Sequence, residues 1–280
     1  MFLEELLEFQ NALNEDTEKH IDELTKQFEE EYLLVAALIL KELRKIYSKY
    51  SEDGKLTYTE MRKYKRLATL LSKINALLDD FYNRVYKLID QAIIDEYRAN
   101  FGAYRGYIEE YKSIDSEISS PSKSNIRELF AAMLVGLTLK DILQKSKTDI
   151  MYTLQNQIRN GISEKSNYGQ MSKRIQESFD KNFKKLVYIK DWQLRKIAQK
   201  STLDVNTRIQ EEGIAEVTKI WRTQRDSRVR KSHVKMEGQE VGINKEFTLP
   251  SGKKTLAPRM SGIIQEDANC RCFLSYSYDK

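Results

Sequence analysis

Residues 64–92, YKRLATLLSKINALLDDFYNRVYKLIDQA, decide the fold class. Tyr64, Leu67, Leu71, Ile74, Leu78, Phe81, Val85, Leu88 and Ala92 follow one another in steps of three and four. That spacing lines them along one stripe of an α-helix, and four heptads of it describe a coiled-coil seam. A helix over 60–98 would be roughly 58 Å long at 1.5 Å per residue. Upstream, Ile21, Leu24, Phe28, Val35, Ile39, Leu43 and Ile46 keep mostly the same spacing, so residues 2–50 read as a second long amphipathic helix. Residues 51–55 separate the two, and Gly54 can take the left-handed backbone that ends a helix. Thr57 and Glu60 then form a capping-box pattern at the next helix start. A short turn between two long helices predicts an antiparallel hairpin over 1–118, with scaffolding as its first role.

Gly102, Gly106 and the run at 119–125 break the periodic pattern and mark a linker. Residues 119–218 resume as shorter helices at 126–137, 139–159, 170–183 and 191–212, with a helix end at 160–163. No basic recognition face stands out among them, which disfavours a helix-turn-helix. After Gly213 the texture changes, because four of the 11 glycines and two of the three prolines fall in 219–280. β-Prone pieces at 217–221, 246–249 and 272–276 lie between turn signals at Glu237-Gly238 and Ser251-Gly252. The expected fold is mainly α: a long N-terminal helical hairpin, a middle helical region, and a small C-terminal α+β module at 219–280.

Composition supports this reading and excludes others. In 280 residues there are 16 Tyr, 10 Phe and 2 Trp, too many aromatics for a disordered chain. The longest apolar run, 32–40, falls far short of the roughly 20 residues that span a bilayer, so no membrane span is expected. Glu4 and Glu5 stand where a signal peptide carries positive charge, which disfavours secretion. Two cysteines are too few for a disulfide scaffold and fit a reducing, cytoplasmic site of folding. The net charge of +5 is concentrated: residues 219–280 hold 13 basic and 7 acidic side chains, against 34 and 35 in 1–218.

The C-terminal module carries the residues that could act. Lys219, Arg222, Arg225, Arg228, Arg230, Lys231 and Lys235 face a single acid, Asp226, within 219–235. An Arg-rich surface suits bidentate contact with phosphate or carboxylate, so Arg222, Arg225, Arg228, Arg230 and Lys231 are candidates for binding DNA or an acidic partner. The competing reading pairs those arginines with Asp226 and neighbouring carboxylates, through an Asp226–Arg230 or Asp226–Arg228 ion pair. His233, Cys270 and Cys272 could hold Zn²⁺, with Asp226, Asn269 or water as fourth ligand. The Cys-x-Cys spacing departs from the usual Cys-x₂₋₄-Cys, although a period of two would put both sulfurs on one side of a strand. The simpler alternative is a pair of small buried side chains with His233 hydrogen-bonded beside them, so no cofactor is expected. With two histidines, no phosphate-cradling glycine loop and no zincin motif, catalysis is not expected either. A zinc-dependent enzyme at His233, Cys270 and Cys272 is the remaining alternative.

Trp221-Arg-Thr223, Asp226-Ser-Arg-Val-Arg230, His233, Gly238, Phe247, Gly252, Pro258 and the closing Asn269-Cys270-Arg271-Cys272 together resemble the head morphogenesis domain of phage Mu F-like minor head proteins. The resemblance is strong over the C-terminal quarter and looser over 126–218. It implies a structural component of a tailed-phage head, inside the head near the portal, assembled in the host cytoplasm without a membrane. The portal protein is the implied partner, with the major capsid or scaffolding protein and packaged double-stranded DNA as further ones. The implied role is head assembly or DNA handling and ejection. Some relatives fuse a similar domain to toxin modules, and with Lys280 the last residue none is expected here. The resemblance supplies no catalytic residues; it implies that Trp221, Asp226, Arg230, His233 and the Asn269–Cys272 tetrad hold the small module together. Relatives often carry an Ala-Arg-Thr-Glu-like stretch before the tryptophan, whereas this chain has Ala198-Gln-Lys-Ser-Thr202.

Overall fold

The computed structural model describes residues 2–132 and 138–279. Helix α1 spans Phe2–Tyr50, α2 Tyr58–Arg62, α3 Arg66–Lys112, α4 Lys123–Ala132, α5 Leu139–Ser163 and α6 Tyr168–Glu211. Strand β1 (Glu216–Arg222) follows, then α7 (Lys231–Val234), β2 (Glu240–Gly242), β3 (Phe247–Thr248), β4 (Lys254–Thr255), α8 (Ile264–Asp267) and β5 (Phe273–Asp279). The mainly helical architecture with a small C-terminal sheet is the one the periodicity predicts. No helix among the described residues is long and apolar enough to cross a membrane.

Several boundaries differ from the sequence reading, each for a local reason. Gly102 and Gly106 do not end α3, which continues to Lys112. A Cβ at either would meet nothing within 4 Å, so these glycines cost helix propensity and interrupt nothing. The expected helices at 170–183 and 191–212 are one helix, α6, because Ile175, Phe179, Leu186, Leu194 and Ile197 keep one buried side throughout. The last part of the expected 126–137 helix, residues 133–137, lies outside the described residues.

The chain gathers into two compact units that cut across the segments read from sequence. One consists of Glu23–Asp90 and Ala131–Ile189. In it α1 and α3 are antiparallel: Glu31 accepts from Arg84 and Glu42 from Lys73, a step forward on one helix matching a step back on the other. Phe28, Val35, Ile39 and Leu43 of α1 and Ile74, Leu78, Phe81 and Val85 of α3 are all nearly inaccessible to solvent, as the expected seam requires. The seam starts later than expected. Tyr64 is 88% exposed and sits at a kink in left-handed backbone (φ 51°), where the chain turns between α2 and α3. The turn after α1 is a two-residue hairpin closed by reciprocal bonds between Glu52 and Lys55, with Asp53 (φ 49°) and Gly54 (φ 74°) at its tip. Gly54 thus adopts the anticipated left-handed backbone, but in this hairpin rather than at the helix end. Thr57 caps α2 by accepting from the Glu60 N–H, while the Glu60 side chain turns to Arg66 and Lys63 instead of completing a capping box. Tyr82 from α3 bonds both Ser146 of α5 and Asn182 of α6, which fixes those helices around the same seam.

The other unit consists of Met1–Asp22, Gln91–Phe130 and Lys190–Lys280. Here Phe9 of α1 packs on Tyr104 and Tyr107 of α3, and Glu96 accepts from Thr17 and meets His20. The three-stranded antiparallel sheet has the order β2-β1-β5, with Glu216 to Arg222 facing Asp279 back to Phe273. A separate two-stranded ladder joins β3 and β4. Tyr276 and Tyr278 of β5 bury against the helices: Tyr276 meets Tyr104 edge-on and Thr202 through its hydroxyl, and Tyr278 donates to Asn206. The C-terminal module is therefore built onto the ends of α1, α3 and α6, not beside them.

Candidate functional site

The chain between β1 and β5, residues 223–272, contains three strands of two or three residues and two four-residue helices. So little regular structure must be held by side chains, and the motif residues are the ones that hold it. Trp221, 1% exposed, meets His233 and Phe247 edge-on at ring distances of 5.7 and 5.4 Å. Thr223 donates its hydroxyl and N–H to Glu237. Gly238 (φ 76°) and Gly252 (φ 79°) occupy left-handed turns that a side chain would strain. Phe247 and Pro258 are buried, and Asn269 (φ 55°) turns the chain into the closing Cys270-Arg271-Cys272.

The arginines expected to form a binding surface are mostly occupied. Arg222 donates to Ser275, and Arg230 donates to the carbonyls of Glu266 and Ala268, clamping the α8 turn. Arg225 is exposed and paired with Glu237. Asp226 bonds Arg271 and accepts from the Arg228 N–H, with the Arg228 guanidinium 3.6 Å away. The main partner of Asp226 is thus Arg271, with Arg228 second, and Arg230 serves elsewhere. Lys231 is exposed, while Lys219 is fully buried. The Arg271 guanidinium beside Asp226 holds that carboxyl below its ordinary value.

His233, Cys270 and Cys272 converge, all three buried, with their ligand atoms within 4.8 Å of one another. His233 Nδ1 lies 3.5 Å from Cys270 Sγ and 3.4 Å from Cys272 Sγ. Its other nitrogen, Nε2, is 3.0 Å from a Glu266 carboxylate oxygen. Arg259, 3% exposed, donates to the Cys270 carbonyl at 2.6 Å and to the Arg195 carbonyl at 3.0 Å. The Cys270 thiol is held well below its ordinary value by the Cys272 thiol hydrogen bond, His233 and the Arg259 charge, against the effect of burial. Cys272 shifts the other way, because it donates to Cys270 and is itself buried. Burial pushes His233 down, but Cys270 and Glu266 outweigh it and raise the imidazole above its ordinary value. His233, Cys270 and Cys272 help to line a pocket of about 10 Å³, the room one water takes.

Sequence reasoning named the three potential ligands and missed Glu266 and Arg259, which surround them. Glu266 carries no spacing signal relative to His233, 33 residues earlier, and Arg259 reads as one more basic residue of a basic segment.

A family model described as "Phage Mu protein F like protein" matches residues 152–275, from within α5 to within β5. Over those residues the chain is similar to the phage Mu protein F like family. The match starts later than the loose resemblance over 126–218 and includes every motif residue from Trp221 to Cys272. The chain is also similar to Minor head protein GP7 of Bacillus phage SPP1, 25% identical over 95% of this chain and 87% of that protein. A second relative is the NAD(+)–arginine ADP-ribosyltransferase EFV of Enterococcus faecalis, 24% identical over 96% of this chain and 53% of that protein. No solved structure matches the chain. Within the Mu F-like region, the departing stretch Ala198–Thr202 is internal: Gln199 accepts from the Leu274 N–H, Ser201 donates to the Tyr97 carbonyl, and Thr202 meets the Tyr276 hydroxyl.

Proposed function

We propose that this chain is a structural minor head protein of a tailed phage, bound to the portal inside the head and acting in head assembly or the handling of DNA. The observation that carries the reading is likeness to a minor head protein along 95% of the chain, helices included, and not over the Mu F-like region alone. A structural role also agrees with a C-terminal module whose motif residues hold one another: Arg230 holds α8, Asp226 holds Arg271, and Thr223 holds Glu237. The likeness to the ADP-ribosyltransferase spans about half of that enzyme, and its activity is not carried over.

Portal binding is favoured over direct DNA binding by the state of the basic segment. Arg222 and Arg230 are committed to contacts inside the module, which leaves Arg225, Arg228 and Lys231 as the exposed charges of the segment, the first two in surface ion pairs. Co-expression with the portal protein of the same phage, followed by nuclease treatment and sedimentation in high salt, tests the reading. The chain is expected to travel with the portal ring at a reproducible ratio. If it stays at the top of the gradient while shifting DNA in a salt-sensitive manner, the portal reading fails and DNA binding replaces it.

A further inference from the structure

We propose that His233, Cys270 and Cys272 form a structural Zn²⁺ site that clips the 223–272 excursion to the start of β5. The geometry fits before any ion is placed. In a zinc tetrahedron with Zn–S of about 2.3 Å and Zn–N of about 2.0 Å, the sulfur–nitrogen edge is about 3.5 Å. His233 Nδ1 stands 3.5 Å from Cys270 Sγ and 3.4 Å from Cys272 Sγ, so both edges that include the imidazole already have that length. The sulfur–sulfur edge of such a tetrahedron is about 3.8 Å, and the two sulfurs lie within the 4.8 Å that bounds the cluster.

A second observation is independent of these distances. The nitrogen of His233 that faces away from the sulfurs meets a carboxylate, Glu266, at 3.0 Å. A metal-binding histidine characteristically donates its other N–H to a carboxylate, which fixes the tautomer and aims the free lone pair at the ion. Glu266 is itself held in place, because Arg230 grips its carbonyl and Ser232 also reaches its carboxylate. Two thiolates neutralise the charge of a divalent ion. A water in the water-sized pocket that His233, Cys270 and Cys272 help to line completes the tetrahedron.

The site also has a reason to exist. His233 and the two cysteines are 37 and 39 residues apart, across a segment with hardly any regular structure. An ion joining them closes that long loop, and its binding energy becomes folding energy for the module. No step of chemistry is assigned to it: the pocket admits a water but no substrate.

The experiment uses the full chain, expressed with zinc and purified without a polyhistidine tag or chelator. Elemental analysis is expected to find one zinc per chain, and replacement by Co²⁺ to give thiolate charge-transfer bands with the visible bands of tetrahedral cobalt. Cys270→Ser is expected to abolish those bands. Should that variant fail to fold, Glu266→Gln keeps all three ligands and is expected to weaken Zn²⁺ binding about 10–100-fold. Folded chain with no bound zinc and no cobalt bands overturns the proposal. So does a Cys270–Cys272 disulfide in freshly prepared protein, or a Glu266→Gln affinity equal to that of the parent.

Discussion

Gln10 of the first helix pairs with the backbone of Tyr276 in the last strand, its amide donating to the Tyr276 carbonyl at 3.0 Å and accepting from the Tyr276 N–H at 3.2 Å. β5 is an edge strand, and an open edge of N–H and C=O groups buried under helices would carry a free-energy cost. Gln10 acts as the missing neighbour for one residue, and Gln199 of α6 takes the Leu274 N–H two residues earlier. The two glutamines attach the sheet to both helices. Gln10→Ala strands two buried backbone groups and should lower stability by about 1–3 kcal/mol. Thermal and denaturant unfolding check this, and a loss below a few tenths would show that water replaces the amide.

The two glycines inside α3 give a prediction of opposite sign. Neither Gly102 nor Gly106 is in left-handed backbone, and a Cβ at each would point into open space. Gly102→Ala and Gly106→Ala should each stabilise the protein by about 0.5–1 kcal/mol. A fall in Tm for either would mean that the glycine serves a contact with another molecule or a bend in the helix.

Lys219 is a buried cation with little compensation. Its side chain is fully enclosed, Nζ makes no hydrogen bond, and it lies 5.5 Å from the centre of the Phe247 ring. Burial pushes its pKa from 10.5 down to about 8, and Glu246 opposes that only in part. Below about pH 8 folded and unfolded chains both carry the proton, and the folded state bears the desolvation cost. Between about 8 and 10.5 the folded chain releases its proton first, so stability gained through this group rises with pH. Lys219→Met should therefore be more stable than the parent at pH 7, by about 1–4 kcal/mol if it behaves like other buried charges. The gap should narrow by pH 10, and a gap that is constant with pH would contradict a buried ammonium.

Asp226 should matter for stability through its bonds inside the module. Asp226→Ala removes the acceptor for Arg271 and for the Arg228 N–H, and the Tm of the variant should fall. Because the folded-state pKa of Asp226 is depressed, its contribution is complete above the ordinary carboxylate range and is lost as pH falls through the lowered value. The parent and the variant should then melt alike in strong acid, and an unchanged melt at neutral pH would refute the structural role.

Helix identity, the stretch of the seam from Ile74 to Val85 and the motif order from Trp221 to Cys272 were legible in the chain itself. These features depend on local spacing: a three-and-four repeat can bury itself only as a helix, and left-handed turns select glycines such as Gly238 and Gly252. Helix breaks were legible less well. Glycine is permissive rather than disruptive, so Gly102 and Gly106 can lie within a helix that tertiary packing supports.

The tertiary structure alone decided which charges remain for a partner and what surrounds the cysteines. A run of arginines looks the same whether its members reach solvent or, like Arg230, hold carbonyls 36 and 38 residues away. Likewise, nothing in the chain order links Gln10 to Tyr276 or Glu266 to His233. Hydrogen bonds and ion pairs are satisfied by whatever groups the fold brings within about 3 Å, and that proximity is set by packing across the whole chain. Sequence therefore determined the helices, their seam and the motif, while only the assembled structure joined the two ends of the chain and closed His233, Cys270 and Cys272 into one cluster.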